Sequence, residues 1–131
     1  MAAIRIAQII GRTANGGVEN MITNYYRHID RDVIQFDFFV ESPSRIIDVS
    51  LIESMGGRVF LIPSIKHPLK YQKSLRQIFK REKYAIVQSN INSLSVFPLL
   101  AAKKCGIRIR IANSLSIIYI FGSVIQMRFF F

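Results

Sequence analysis

A chain of 131 residues has room for one domain with a core of its own, but not for two of ordinary size. Half of the residues are hydrophobic and a fifth are charged, a globular composition that excludes a disordered chain. Eighteen Lys and Arg against eight acids leave a net charge of +10, which attracts polyanions such as nucleic acid, an anionic membrane surface or phosphorylated substrates.

In chain order, Ile4–Ile10 reads as a buried strand that breaks into Gly11-Arg12-Thr13-Ala14-Asn15-Gly16-Gly17. Val18–Ile29 is amphipathic, with Met21, Ile22, Tyr25, Tyr26 and Ile29 at helical spacing. Phe36–Val40 is a strand of aromatic and branched residues, followed by the breaker Ser42-Pro43-Ser44. Ile46–Met55 reads as a helix with Ile47, Leu51 and Met55 on one face, stopped by Gly56-Gly57. Arg58–Ile62 is a short strand closed by Pro63, Leu69–Lys83 a helix and Ala85–Gln88 a strand. Leu94–Cys105 is a helix ended by Gly106, with Pro98 drawing its start toward Phe97. Ile107–Ala112 is a fifth strand.

Strands alternating with helices of this length predict βαβ units, hence an α/β fold: a Rossmann-like parallel sheet of about five or six strands with helices on both faces. That domain is expected over residues 1–116. Residues 117–131 carry one charge and no helix stop, and are too short to span a bilayer. They read as an apolar tail: a strand, an interfacial segment, or an aberrant or frame-shifted end. No signal peptide is expected, since Met1-Ala2-Ala3-Ile4-Arg5 lacks a basic segment followed by a long apolar core. Cys105 is the only cysteine, which excludes an internal disulfide, fits a reducing compartment and reads as a small buried residue.

The strand, glycine turn and helix N-terminus between Ile4 and Asn20 make a place where backbone N–H groups converge. Lacking Cβ atoms, Gly16 and Gly17 would let an anionic or hydroxyl-rich ligand approach closely, although the same glycines suit a plain βα turn. Neither G-x-G-x-x-G nor the P-loop pattern is present, which disfavours a dinucleotide enzyme. Ligands of open α/β sheets sit at the carboxyl ends of the strands. There the chain offers Gly16, Gly17 and Glu19 after the first strand, and Glu41 after the second. Ser89 and Asn90 follow the fourth, and Asn113 and Ser114 the fifth.

Between Lys66 and Lys83, Tyr71, Leu75, Ile78 and Phe79 form an apolar face. Lys70, Lys73, Arg76, Lys80 and Arg81 form a basic face able to meet anionic headgroups or to stand in water as an ordinary solvated helix face. No nucleic-acid module is recognisable. His28 and His67 fall in no metal spacing and no catalytic triad, so no metal is expected.

Ile10 to Glu19 resembles the first strand and loop of family 4 glycosyltransferases with the GT-B fold. The likeness continues in order through Gln35–Phe38, Met55–Val59, Tyr84–Asn90, Ala101–Ile107 and Arg110–Ser114. It covers about Ile4 to Ser116 and is nearest to bacterial exopolysaccharide or capsule enzymes. It implies the acceptor-side half of a retaining enzyme that transfers sugar from a nucleotide-sugar, as co-substrate, to a polysaccharide or lipid-linked acceptor. No further cofactor is implied. The resemblance also implies that Gly16 and Gly17 approach the donor's phosphates or the transferred sugar; with Glu19, Ser89, Asn90, Asn113 and Ser114 from the strand ends they make up the expected donor- or acceptor-binding residues. It further implies a cytoplasmic location, with the basic helix fitting a peripheral place at the inner face of the cell membrane.

Related sequences carry His-Ser-His where this chain has Asn113-Ser114-Leu115, and His where it has Gln88. No catalytic residue is therefore assigned. The donor-binding half with its paired glutamates is absent from the sequence, so the expectation is a truncated half that is inactive unless a separate chain supplies the other. The competing expectation is a basic α/β binding module at an anionic membrane surface or a protein partner.

Overall fold

In the computed structural model, residues 3–11, 17–41, 48–120 and 123–130 are described; for residues 17–19 and from 114 onward this extends to the backbone alone. Strands β1 (Ile4–Gly11), β2 (Ile34–Glu41) and β3 (Arg58–Ile62) alternate with helices α1 (Gly17–His28) and α2 (Val49–Ser54). Then follow α3 (Pro68–Glu82), β4 (Ile86–Ser89), a 3₁₀ turn (Asn92–Ser95), α4 (Val96–Lys104), β5 (Ile109–Ile120) and β6 (Ser123–Phe130). The strands form one sheet in the order β3-β2-β1-β4-β5-β6, the first five parallel and β6 antiparallel to β5.

The two-residue period of a strand sends alternate side chains to opposite faces, and here both faces are apolar. Phe36, Phe38 and Val40 of β2 pack with Ile10 against Ile22, Tyr26 and Ile52 of α1 and α2. Ala7, Ile9, Phe39 and Val87 pack on the other face against Tyr71, Leu75, Ile78 and Phe79 of α3 and Leu99, Ala101 and Ala102 of α4. The apolar face expected of the basic helix is thus its docking face on the sheet.

Local chemistry explains most element ends. The Asp48 carboxylate accepts from the Leu51 N–H at 3.0 Å, which starts α2 at Val49; residues 42–47, where the helix was expected to begin, lie outside the described ones. At its other end Gly56 N–H donates to Glu53 O and Gly57 N–H to Ile52 O, both at 3.0 Å, with Gly56 at φ +93°. This is the glycine stop expected there. Helix α4 begins at Val96 rather than Leu94. Pro98 is then its third residue, where a missing N–H costs no intrahelical bond, and the preceding residues wind into the 3₁₀ turn. Cys105 caps that helix half-buried, its Sγ 3.7 Å from Arg76 O, rather than fully inside as expected.

The fifth strand runs past its expected end at Ala112 because β6 supplies antiparallel partners for the additional backbone groups. Of the residues read as tail, 117–120 lie in β5 and 123–130 in β6.

At the amino ends of the strands, Asp37 is fully buried and bridges four segments. It accepts from Arg5 Nη1 at 2.6 Å, Arg58 Nη2 at 2.6 Å, Arg58 Nε at 3.2 Å and the Tyr84 hydroxyl at 2.6 Å. Burial and the adjacent carboxylate push the Tyr84 hydroxyl's pKa up, so it stays a donor. This polar tie sits at the edge of the sheet opposite the candidate site.

Candidate functional site

From β1 the chain proceeds to β2 and β3 on one side, then crosses back to β4 and β5 on the other. The strand order therefore reverses between β1 and β4, the place at which an open α/β sheet leaves a crevice beyond its carboxyl ends. A cavity of about 370 Å³ opens there, with Gly11, Glu41, Ser64, Lys66, Asn90 and Asn92 supplying its polar lining and Ile10, Ile65, Ile91 and Leu94 the apolar part.

Backbone shape sets the wall between β1 and the β4 loop. Gly11 has φ +74°, and a Cβ placed there would stand 2.8 Å from Ile91 Cγ2. Only glycine fits both the left-handed backbone and that approach. Asn92 is also left-handed, at φ +55°, a conformation asparagine tolerates better than most residues.

Asn90 is the buried hub. Its backbone N–H donates to Ile9 O at 2.9 Å, and its side-chain Nδ2 donates to Gln8 Oε1 at 3.0 Å and to Ile9 O at 3.2 Å. Its Oδ1 accepts from Asn113 Nδ2 at 3.3 Å and from Gln88 Nε2 at 3.4 Å. Four carboxamides from β1, β4, the β4 loop and β5 thus fix one another, which sets the orientation of Asn90 before any ligand arrives.

On the opposite wall the buried Glu41 carboxylate accepts from the Ile65 N–H at 2.9 Å, and Ser64 Oγ accepts from the Lys66 N–H at 3.2 Å. Burial and then the charge of Glu41 push the Tyr71 hydroxyl's pKa upward, keeping that phenol neutral. The hydroxyls of Tyr71, Ser89 and Ser95 are buried without a hydrogen-bond partner among the described residues. Tyr71 lies on the first turn of α3, Ser89 at the end of β4 and Ser95 at the end of the 3₁₀ turn that leads into α4. The cavity lining offers one carboxylate, one ammonium, carboxamides and a hydroxyl. Such a set can donate to and accept from the hydroxyls of a polar ligand.

Of the expected site residues, Asn90 and Asn113 are brought into contact. Ser89 is not after the fourth strand but is its last residue, and it is buried. Glu41 likewise closes β2, and Asn113 and Ser114 lie within β5 because β6 extends that pairing. Gly16 lies outside the described residues. Gly17 is the first residue of α1, and the side chains of Glu19, Ser114 and Leu115 lie outside the described ones.

On α3, Lys70, Lys73 and Lys80 are exposed. Arg76 is half-buried, with its Nε donating to Gln72 O at 3.4 Å. Arg81 reaches Glu82 at 3.2 Å and stacks over Phe60. Glu41 was singled out in the sequence only as a polar strand end, and Lys66 only as part of the basic run. Gln8, Ser64 and Asn92 gave no motif. Gln8 did leave one trace, as the single uncharged polar residue within an apolar strand.

Among the described residues, no group of three or more His, Cys, Asp or Glu could hold a metal ion. No described helix is long and apolar enough to cross a membrane.

Over 113 residues, 84% of its length, the chain is 30% identical to the Bacillus subtilis (strain 168) protein described as "Putative glycosyltransferase EpsF". The match spans 29% of that protein. The chain is thus related to a glycosyltransferase-like protein and corresponds to under a third of its length. No protein-family profile matches the chain, and no solved structure matches it.

Proposed function

We propose that this chain is the acceptor-side unit of a retaining, nucleotide-sugar-dependent glycosyltransferase of the GT-B, family 4 kind. Its cavity would hold the hydroxyl-bearing end of a polysaccharide or lipid-linked acceptor. The observation that carries the reading is the crevice between β1 and β4, whose lining joins a carboxylate, an ammonium and a fixed carboxamide. The relationship to a glycosyltransferase-like protein gives it a reaction class.

In this reading Glu41 accepts from an acceptor hydroxyl, Lys66 donates to a neighbouring oxygen, and the Asn90 hub holds the floor rigid. The transferring sugar and its nucleoside diphosphate would be presented from a donor-binding unit across the crevice. With Asn113 and Leu115 in place of the histidines of the resembled pattern, the chain alone is expected to bind acceptor without turnover. Exopolysaccharide synthesis at the inner face of the cell membrane is the setting we propose.

Saturation-transfer NMR of the chain with a panel of hexoses and disaccharides tests this. The expected result is transfer to the C–H protons of one or more sugars, reduced in Glu41→Gln and Lys66→Ala at unchanged melting temperature. Absence of transfer from the native protein to every sugar, or equal transfer in both variants, would overturn the reading. Micromolar binding of NAD in a parallel titration would favour a dinucleotide enzyme instead.

A further inference from the structure

From Lys66 to Arg110 the sequence holds eleven Lys and Arg residues against one acid, Glu82, and that acid is engaged by Arg58 at 2.9 Å and Arg81 at 3.2 Å. The elements that carry this imbalance, α3 and α4, lie side by side on one face of the sheet. Gln72 Nε2 donates to Phe97 O at 2.6 Å, and Cys105 Sγ meets Arg76 O at 3.7 Å. Helical spacing sets Leu69, Lys73, Arg76 and Lys80 in one stripe with Gln72, along the flank of α3 that borders α4.

The same face carries exposed apolar side chains. Of the eleven large hydrophobic residues exposed among the described ones, Leu69, Leu94, Val96, Phe97 and Leu100 belong to α3, the 3₁₀ turn and α4. Leu69 is 86% exposed at the start of the basic stripe. A solvated helix face would gain nothing from these residues, and a nucleic-acid backbone would not use them. Apolar tips interspersed among uncompensated ammonium groups match the interface of an anionic bilayer. There lipid phosphates meet the cations, and the acyl boundary accepts the apolar groups.

We propose that the outer face of α3 and α4 docks on an anionic lipid surface. Leu69, Phe97 and Leu100 enter the boundary between headgroups and acyl chains, while Lys73, Lys80 and Lys103 engage lipid phosphates. Leu94 lines the cavity and belongs to the exposed apolar set, so the cavity rim is continuous with this face. Docking would set the cavity at the level of the headgroups. The proposal does not depend on the glycosyl-transfer reading.

Vesicle flotation of the full chain tests it, using phosphatidylcholine alone and phosphatidylcholine mixed with phosphatidylglycerol. The native protein should float with the mixed vesicles and not with the neutral ones. Lys73→Glu/Lys80→Glu should weaken binding by at least about tenfold at low salt. Leu69→Ser/Leu100→Ser should bind at low salt but lose the fraction that survives high salt. Each variant should keep the native circular dichroism spectrum and melting temperature; Lys103→Glu replaces a charge variant that does not, and Leu69→Ala/Leu100→Ala an apolar one.

Equal binding to both vesicle types, no binding by the native protein, or native-like binding by the Leu69→Ser/Leu100→Ser variant would overturn the proposal. So would a dimer dissolved by the apolar substitutions, or tight binding of short DNA duplexes, in the absence of flotation.

Discussion

Substituting Gly11 probes the wall of the cavity and can be worked from two geometric facts. At φ +74° an L-residue costs about 1 kcal/mol or slightly more relative to glycine. Its Cβ would also stand 2.8 Å from Ile91 Cγ2, and relieving such overpacking costs about 1–3 kcal/mol. Gly11→Ala should therefore destabilise the fold by about 2–4 kcal/mol.

The partition can be checked through Ile91. Ile91→Ala removes the obstructing carbon, so in that background Gly11→Ala should cost only the backbone share, about 1 kcal/mol. Ile91→Val retains Cγ2 and should give no relief. Urea unfolding of the four-member cycle, followed by circular dichroism because the chain has no tryptophan, measures the coupling directly. A Gly11–Ile91 coupling below about 0.5 kcal/mol would refute the packing argument, as would equal relief from Ile91→Val.

Asp37→Ala leaves the Tyr84 hydroxyl buried without its acceptor and Arg5 without its carboxylate, while Arg58 keeps Glu82 at 2.9 Å. Both arginines are more than a third exposed and can rehydrate, so the expected loss in urea midpoints is about 2–3 kcal/mol rather than the full value of a buried pair. Tyr84→Phe should lose about 1–2 kcal/mol in the same assay. Burial, the largest cause in each case, raises the pKa of Tyr26, Tyr71 and Tyr84 in the folded chain above the ordinary value of 10.0. Their stabilisation is present below that pH and is lost as the pH rises through it, because the unfolded chain ionises where the folded chain resists. Each fully protected tyrosine adds a slope of about 1.4 kcal/mol per pH unit there. Tyr84→Phe should flatten the alkaline limb of a stability-against-pH curve, and an unchanged limb would contradict the assignment.

The alternation of elements was legible because it rests on local signals. Arg58–Ile62 has its expected bounds, and Gly56 stops α2 through bonds made within a few residues. The site was less legible because it is assembled across the sheet. Asn90 meets Gln8 from 82 residues away, a pairing created by the strand order and by no spacing in the sequence. Glu41 and Lys66 face one cavity only because β2 ends beside the loop that leads into α3. Asp37 reads as an interruption in an aromatic strand until Arg5, Arg58 and Tyr84 converge on it.

The two edges of the sheet consequently do different work. At the amino edge the buried charge is matched by partners within the chain, which makes that edge a fastening. At the carboxyl edge the cavity is lined by Glu41, Ser64, Lys66, Asn90 and Asn92, and the buried hydroxyls of Tyr71, Ser89 and Ser95 have no hydrogen-bond partner among the described residues. Binding chemistry is therefore to be sought at the carboxyl edge, with stability assays as the measure of the amino edge.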